Sequence, residues 1–153
     1  MKKINYTRFQ RVVEWAGLLA LVLPLIWLAF TYGKLPDKVP SHFGGAGEAD
    51  AWSGKESILF LAVSEAVLYL GITGVQKFPQ IWNVPGREGD RERAYKECLS
   101  LILVVKLLMV LNFSYMLVCS ARGTGLGVWF TPVSLVLLFG SMAYYIWKMC
   151  RKA

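Results

Sequence analysis

The sequence has 153 residues, of which 56% are hydrophobic and 18% charged, and its formal net charge at pH 7 is +7. The charged residues are segregated into short stretches rather than spread along amphipathic elements, which excludes an ordinary soluble domain. The basic residues flank apolar stretches without forming a folded basic domain, so the positive charge does not indicate a nucleic-acid partner.

Four apolar stretches are each long enough to cross a bilayer core of about 30 Å, which takes about 20 helical residues. They are apolar on nearly every face, which favours membrane spans over the core helices of a soluble protein. The predicted fold is therefore an all-α membrane protein, a single four-transmembrane-helix bundle in contact with the lipid bilayer. The spans cover about residues 12–33, 57–76, 98–120 and 127–148, with an ordered extracytoplasmic loop at 34–56 and a cytoplasmic loop at 77–97.

The first apolar stretch follows a basic N-terminus, which is also typical of a secretory signal peptide. Its apolar run is longer than a signal-peptide core, and no small-x-small cleavage site precedes Lys34. An uncleaved first span is the favoured interpretation.

The basic residues indicate the orientation of the four spans. Twelve of them lie on the side that both termini share with the second connection, and four lie on the opposite side. The positive-inside rule then predicts cytoplasmic termini in a bacterial cytoplasmic membrane, with the first loop facing outward. The first group is Lys2, Lys3, Arg8, Arg11, Lys77, Arg87, Arg91, Arg93, Lys96, Lys148, Arg151 and Lys152, and the second is Lys34, Lys38, Lys55 and Arg122.

The loop after the first span contains two prolines that favour extended backbone and four glycines that allow tight turns. This punctuation predicts an ordered re-entrant cap on the outer mouth of the bundle rather than a simple linker. We expect Phe43 and Trp52 to bury their rings against the outer ends of the first two spans. We expect His42 and Asp50 to hydrogen-bond to loop backbone, and Lys55 to neutralise Asp37 or Asp50. The prolines are Pro36 and Pro40, and the glycines are Gly44, Gly45, Gly47 and Gly54.

A metal site formed by His42, Glu48 and Asp50 is the alternative interpretation of the same polar residues, but their spacing is irregular. No nucleophile or second histidine completes a catalytic set, so an enzyme is not expected. Three cysteines at or inside span ends indicate neither disulfides nor a metal cluster. We expect no metal and no cofactor.

Two charged residues fall inside predicted spans, Glu65 in the second and Lys106 in the third. An ionised group near the bilayer centre costs about 2.5 to 3.5 kcal/mol, so an ion pair between these consecutive, antiparallel spans is favoured. Tyr69 and Thr73 share the helical face of Glu65, and Asn112 adds a polar group in the third span. Together these residues form a predicted intramembrane polar core.

Three interpretations of this polar core remain open. The ion pair is a structural contact that fixes helix register, or it belongs to a proton or ion relay along a transport path. In the third interpretation, Lys106 extends toward the inner interface without contacting Glu65.

The loop residues resemble a known signature, LP-x3-P-x-HF-x3-G-x2-D-x-W-x2-K, which runs here from Leu35 to Lys55. The signature belongs to a bacterial membrane family of unknown function that also forms the N-terminal part of SdpI-type toxin-immunity proteins. The stretch from Lys77 to Glu97 is similar to the same family through Pro79, an Asn-x-Pro motif and a charged run with arginine and tyrosine. That motif and run here are Asn83, Pro85, Arg91, Arg93 and Tyr95.

The sequence departs from the family pattern at Gly44, where the family usually has asparagine after His-Phe. Longer SdpI-type proteins also have additional spans, so the resemblance implies the family more specifically than it implies immunity.

Two classes of function agree with these features. The first is a non-enzymatic protein whose outer cap recognises an extracytoplasmic peptide, membrane protein or envelope component, in an immunity, sensing or accessory role. The second is a small transporter or ion-coupled membrane protein that uses Glu65 and Lys106. Four short spans rarely enclose a pathway alone, so the second class requires a homo-oligomer.

Overall fold

The computed structural model describes residues 5–84 and 91–151. The basic residues Lys2, Lys3, Arg87 and Lys152, which entered the orientation prediction, lie outside the described residues, as does Pro85 of the Asn-x-Pro motif. The principal elements in chain order are α1 (Arg8–Thr31), β1 (Lys38–Phe43), β2 (Ala49–Gly54), α2 (Ser57–Lys77), α3 (Arg91–Arg122) and α4 (Phe130–Cys150).

All four helices are long and apolar enough to cross a membrane, which confirms the predicted four-helix membrane fold. Their outward faces carry large apolar side chains that stay exposed, among them Phe30 at 81%, Phe60 at 78% and Trp129 at 75%. Such faces are unfavourable in water and fit the hydrocarbon of a bilayer.

The third helix begins at Arg91, earlier than the predicted span start at residue 98. Its first turns come from the charged stretch that we placed in a loop. Residues such as Arg91, Glu92, Ala94 and Lys96 have high helix propensity, and Lys96 Nζ lies 2.8 Å from Glu92 Oε1 one turn away. Helix formation here therefore extends beyond the apolar segment.

The first connection contains a two-stranded antiparallel β-hairpin, which departs from the all-α prediction. Strand β1 pairs with β2 from Lys38 opposite Gly54 to Phe43 opposite Ala49, with irregularities around His42. Pairing the strands satisfies backbone groups that an irregular loop would leave to water. We call Lys38–Gly54 the hairpin.

Helix α3 lies at the centre of the bundle, and the other three helices all pack against it. Three buried clusters follow its length and join it to α1 and to α2 with the segment after α2. The cluster next to the hairpin contains Leu28, Ile58, Leu117 and Ala121, the middle cluster contains Leu21, Tyr69 and Val110, and the third contains Val13, Trp82, Leu99 and Leu103.

The bundle has two distinct ends. The hairpin end carries the hairpin and the α3–α4 connection, joined by a hydrogen bond from the Leu126 amide to the Gly47 carbonyl at 2.7 Å. The basal end carries the start of α1, the end of α2, the start of α3 and the end of α4. There Lys148 of α4 pairs with Glu97 of α3 at 2.9 Å.

Helix α1 begins at the basal end with a capping box. The backbone amide of Gln10 donates to Thr7 Oγ1 at 3.2 Å, and the backbone amide of Thr7 donates to Gln10 Oε1 at 2.9 Å. The Gln10 side chain is also 1% exposed and donates to the Lys96 carbonyl and to Ser100 Oγ, both at 2.9 Å. One glutamine thus starts α1 and joins it to α3.

Candidate functional site

A buried lysine organises a polar cluster where α1, α2 and α3 meet. Lys106 is 1% exposed, and its ammonium group lies 2.9 and 2.8 Å from the two carboxylate oxygens of Glu14. The same ammonium group donates to Gln76 Oε1 at 2.8 Å and to Thr73 Oγ1 at 3.2 Å. We call these four residues the basal cluster.

The basal cluster balances the charge of its lysine within the helices. Lys106 provides one positive charge and Glu14 one negative charge, and the ammonium group also lies 4.6 Å from the centre of the Tyr69 ring. Hydrogen bonds and a cation–π contact reduce the cost of removing such a pair from water. Glu14 keeps 26% of its side chain exposed, so the cluster reaches the bundle surface on the α1 side.

Tyr6 extends the basal cluster beyond the membrane-spanning part of α1. Gln76 Nε2 donates to Tyr6 Oη at 3.2 Å and to Glu14 Oε1 at 3.3 Å. Burial of the Tyr6 phenol raises its pKa above the ordinary value, and the nearby Glu14 charge raises it further. Both effects keep the hydroxyl protonated.

The predicted ion pair between Glu65 and Lys106 is wrong. Glu65 contacts Ser114, whereas Lys106 contacts side chains that follow Glu65 along α2 by two to three turns, about 12 to 17 Å. The sequence-based prediction overlooked Glu14 of α1 as the partner of Lys106.

Asn112 lies apart from both acidic residues and connects α3 to α4. Its Nδ2 donates to the Leu108 carbonyl at 2.7 Å, and its Oδ1 accepts from Ser134 Oγ at 2.5 Å. Of the predicted polar core, the structure brings Tyr69, Thr73 and Lys106 together, and it places Glu65 and Asn112 elsewhere along the helices.

The hairpin is anchored to the bundle through its first strand. Val39 is fully buried, Pro40 is less than 2% exposed, and the Pro40 carbonyl accepts a hydrogen bond from Ser120 Oγ of α3. The turn is held by the bond between Gly47 and Leu126 described above. The hairpin therefore has a fixed position on the helices.

His42 and Asp50 hydrogen-bond to each other rather than to loop backbone, which corrects the prediction. His42 Nδ1 lies 2.6 Å from Asp50 Oδ1, and the two side chains are 71% and 44% exposed. Their strands are paired, and the irregular register around His42 brings the two side chains together.

Trp52 is 51% exposed, so the expectation that its ring is buried is wrong. A Cβ atom at Gly123 would lie 3.9 Å from this ring, which places it beside the end of α3 instead of the first two helices. Phe43 is half-buried. Lys55 Nζ lies 3.9 Å from Asp37 Oδ1, and the Lys55 amide donates to the Asp37 carbonyl at 3.0 Å, in agreement with one of the two expected partners.

Several residues of the polar contacts were not predicted from the sequence, among them Gln10, Glu14, Gln76 and Ser114. Two helical spacings could have indicated these contacts. Gln10 and Glu14 are four residues apart on α1, and Gln76 follows Thr73 by three residues on α2, so each pair shares one helical face. Polar residues at such spacings within an apolar span favour an inward-facing stripe.

The side chains of the described residues do not form a group suited to binding a metal ion. In residues 5–84 and 91–151, no group of three or more His, Cys, Asp or Glu side chains is arranged to hold a metal ion. Glu48, the third member of the alternative metal site, instead places its carboxylate over Gly44.

Comparison with known proteins gives a family match and one distant relative. Residues 19–64 match the model of a domain of unknown function, DUF1648, which covers the second half of α1, the hairpin and the beginning of α2. The chain is similar to an uncharacterized protein of Archaeoglobus fulgidus, with 31% identity over 91 residues that cover 49% of this chain and 50% of the relative. The matched part therefore spans about half the length of that relative. No solved structure matches the chain.

Proposed function

We propose that this multi-pass membrane protein is non-enzymatic and recognises an extracytoplasmic or envelope ligand with the exposed surface of its hairpin. The supporting observation is a contrast within this one element. Val39 and Pro40 are buried and fix the backbone, whereas His42, Asp50 and Trp52 are exposed. A pre-ordered surface loses less conformational entropy when it binds a ligand.

The chemistry of this surface favours a peptide or membrane-protein partner. Trp52 offers an aromatic ring, a side chain enriched among residues that dominate binding energy. Because the Asp50 carboxylate contacts His42 Nδ1, the other ring nitrogen, Nε2, is left for a hydrogen bond to a ligand. Hydroxyl and backbone groups of a peptide fit this arrangement.

The proposed location is a bacterial cytoplasmic membrane, with both termini in the cytoplasm and the hairpin outside. The excess of basic residues at the basal end supports this orientation, since Lys34, Lys38, Lys55 and Arg122 are the basic residues described at the hairpin end. Within the proposal, immunity, sensing and an accessory function are the three candidate roles of this recognition.

Site-specific photo-cross-linking in intact cells tests the recognition surface. A photoreactive phenylalanine analogue replaces Trp52 in one variant and Phe78, a 53% exposed aromatic residue at the basal end, in the control. We expect a discrete adduct from position 52 that is weakened by His42→Ala and absent from position 78. Identical adduct patterns at the two positions, or none at position 52, contradict the proposal.

Metal removal separates the hydrogen-bonding role of His42 from a metal-binding role. Because His42 Nδ1 already contacts Asp50, the adduct at position 52 should be unchanged by EDTA. If EDTA abolished the adduct and zinc restored it, His42 would be a metal ligand.

A small oligomeric transporter or ion-coupled protein is the second candidate. It is favoured by the buried basal cluster and by the buried Glu65 carboxyl, since ionisable groups within membrane spans mark ion paths in other proteins. The mass of the detergent-solubilised protein separates the candidates, because four short spans rarely enclose a pathway alone.

A further inference from the structure

Glu65 is a second buried acidic residue with surroundings unlike those of Glu14. Its side chain is 1% exposed, and its Oε1 atom lies 2.6 Å from Ser114 Oγ of α3. Its other oxygen, Oε2, is buried and has no hydrogen-bond partner within residues 5–84 and 91–151. Among the described residues, the carboxyl group thus has one hydrogen-bond partner.

The two hydrogen bonds of Ser114 Oγ need one more hydrogen atom than Ser114 and an ionised Glu65 contribute together. Ser114 Oγ also lies 2.9 Å from the Ala20 carbonyl of α1, and a carbonyl oxygen only accepts. Serine has one hydroxyl hydrogen, and a carboxylate provides none. If the carboxyl group is protonated, Glu65 donates to Ser114 Oγ, and Ser114 donates to the Ala20 carbonyl. Both O···O distances suit this arrangement.

No positive charge neutralises Glu65 among the described residues. Lys106 is the buried basic side chain of the described helices, and its ammonium group is bonded to Glu14, Thr73 and Gln76 instead. An ionised carboxylate that is buried without a cation is strongly unfavourable. Along their own helices, the titratable or charged side chains nearest to Glu65 and Ser114 are Tyr69 on α2 and Lys106, Tyr115, Cys119 and Arg122 on α3. Of the other elements, α1 carries Glu14 in its apolar part, and β1 carries the exposed Lys38 and His42.

We propose that Glu65 is a proton-binding site within the helical bundle, in which a protonated carboxyl group donates to Ser114. The direct contact between the two oxygens leaves no space for a metal cation between them. This site is separate from the basal cluster and does not depend on ligand recognition by the hairpin.

Release of the proton requires a change in helix packing. Ionised Glu65 needs hydrogen-bond donors or a cation at Oε2, and the packed helices supply neither among the described residues. Water reaches Oε2 only when α2 separates from α1 or α3. Protonation of Glu65 and close packing of these helices therefore stabilise each other.

Infrared spectroscopy of the purified full-length protein in detergent tests the site at neutral pH. We expect the carbonyl-stretching band of a protonated carboxylic acid, shifted in deuterated buffer and absent from Glu65→Gln. Glutamine is a matched replacement because its amide also donates to Ser114 Oγ. The control Asp37→Asn removes a fully exposed carboxylate and should retain the band.

A wild-type spectrum without this band overturns the proposal, as does an unchanged band in folded Glu65→Gln. Loss of the band on addition of sodium chloride also overturns it, since that result identifies a cation site. If Glu65→Gln does not fold, Ser114→Ala gives an independent test. Its band should move to higher frequency because the acid loses its acceptor, and an unmoved band contradicts the assignment to Glu65.

Discussion

At the scale of single residues, the position of one charge within an apolar helix depends on the partners that surround it. Lys106 is buried beside a carboxylate, an amide oxygen and a hydroxyl oxygen, which together accept its three hydrogens. Glu14 keeps some exposure and so retains part of its hydration. Loss of either residue leaves the other charge within the helices without its counter-charge, which is unfavourable.

We expect Glu14→Gln to lower the free energy of unfolding by about 3 to 5 kcal/mol, because it leaves a buried lysine without its counter-charge. Lys106→Met should cost less, since Glu14 is 26% exposed and regains hydration more easily. The double variant should recover much of the loss, measured by denaturant unfolding in detergent.

The matched control for this cycle combines Glu65→Gln with Lys106→Met. These two residues share no direct contact, so their effects should add. A large coupling between Glu65 and Lys106, or its absence between Glu14 and Lys106, contradicts the described basal cluster.

At the scale of elements, the hairpin is fixed by close backbone contact with the α3–α4 connection. Gly47 has a φ of +80°, and a Cβ atom there would collide with the Gly127 carbonyl. Gly125 of the α3–α4 connection approaches Gly47 closely, because a Cβ atom on Gly125 would lie 2.7 Å from the Gly47 carbonyl oxygen. Glycine at both positions permits the contact that positions the proposed recognition surface.

We expect Gly47→Ala to loosen the hairpin from the bundle at a cost of about 1 to 3 kcal/mol, because alanine is strained at positive φ and collides with Gly127. The readout is faster hydrogen exchange at the Leu126 amide, which bonds to the Gly47 carbonyl.

Gly45→Ala is the control for this variant. Gly45 lies in the same turn, has no positive φ and has open space where the methyl group of alanine would lie, so exchange at Leu126 should be unchanged. Equal acceleration in both variants would show that the turn is generally sensitive to substitution rather than docked through Gly47.

At the scale of the whole molecule, the four helices place all their described connections at two ends. The hairpin and the α3–α4 connection form one end, and the other end carries Arg8, Lys77, Arg91 and Cys150. The unequal distribution of basic residues between these ends is the basis for the proposed orientation.

We expect a cysteine introduced as Ser41→Cys to react with a membrane-impermeant maleimide in intact cells. Ser41 is exposed in the hairpin, and its hydrogen bond from Ser53 Oγ contributes only about 1 kcal/mol. The native Cys150 is exposed at the basal end and provides an internal control that should react only after permeabilisation. Labelling of Cys150 alone in intact cells would mean that the orientation is inverted.

The sequence by itself determined the four helices and the position of the ordered connection. An apolar run of about 20 residues is a property of one segment, and a bilayer-length helix satisfies its own backbone, so neighbours are not needed to predict it. The glycines and prolines of the segment around Gly47 also predicted its turns, but they did not predict that its strands pair.

The tertiary structure alone decided which polar groups meet. The partner of Lys106 depends on how far α1, α2 and α3 are shifted and rotated against one another, and a shift of one turn moves a side chain by about 5 Å. The same applies to His42 and Asp50, whose contact results from the irregular strand register. Helix formation is a local property, whereas contacts between buried charges depend on the relative placement of separate elements, and one sequence pattern is compatible with several such placements.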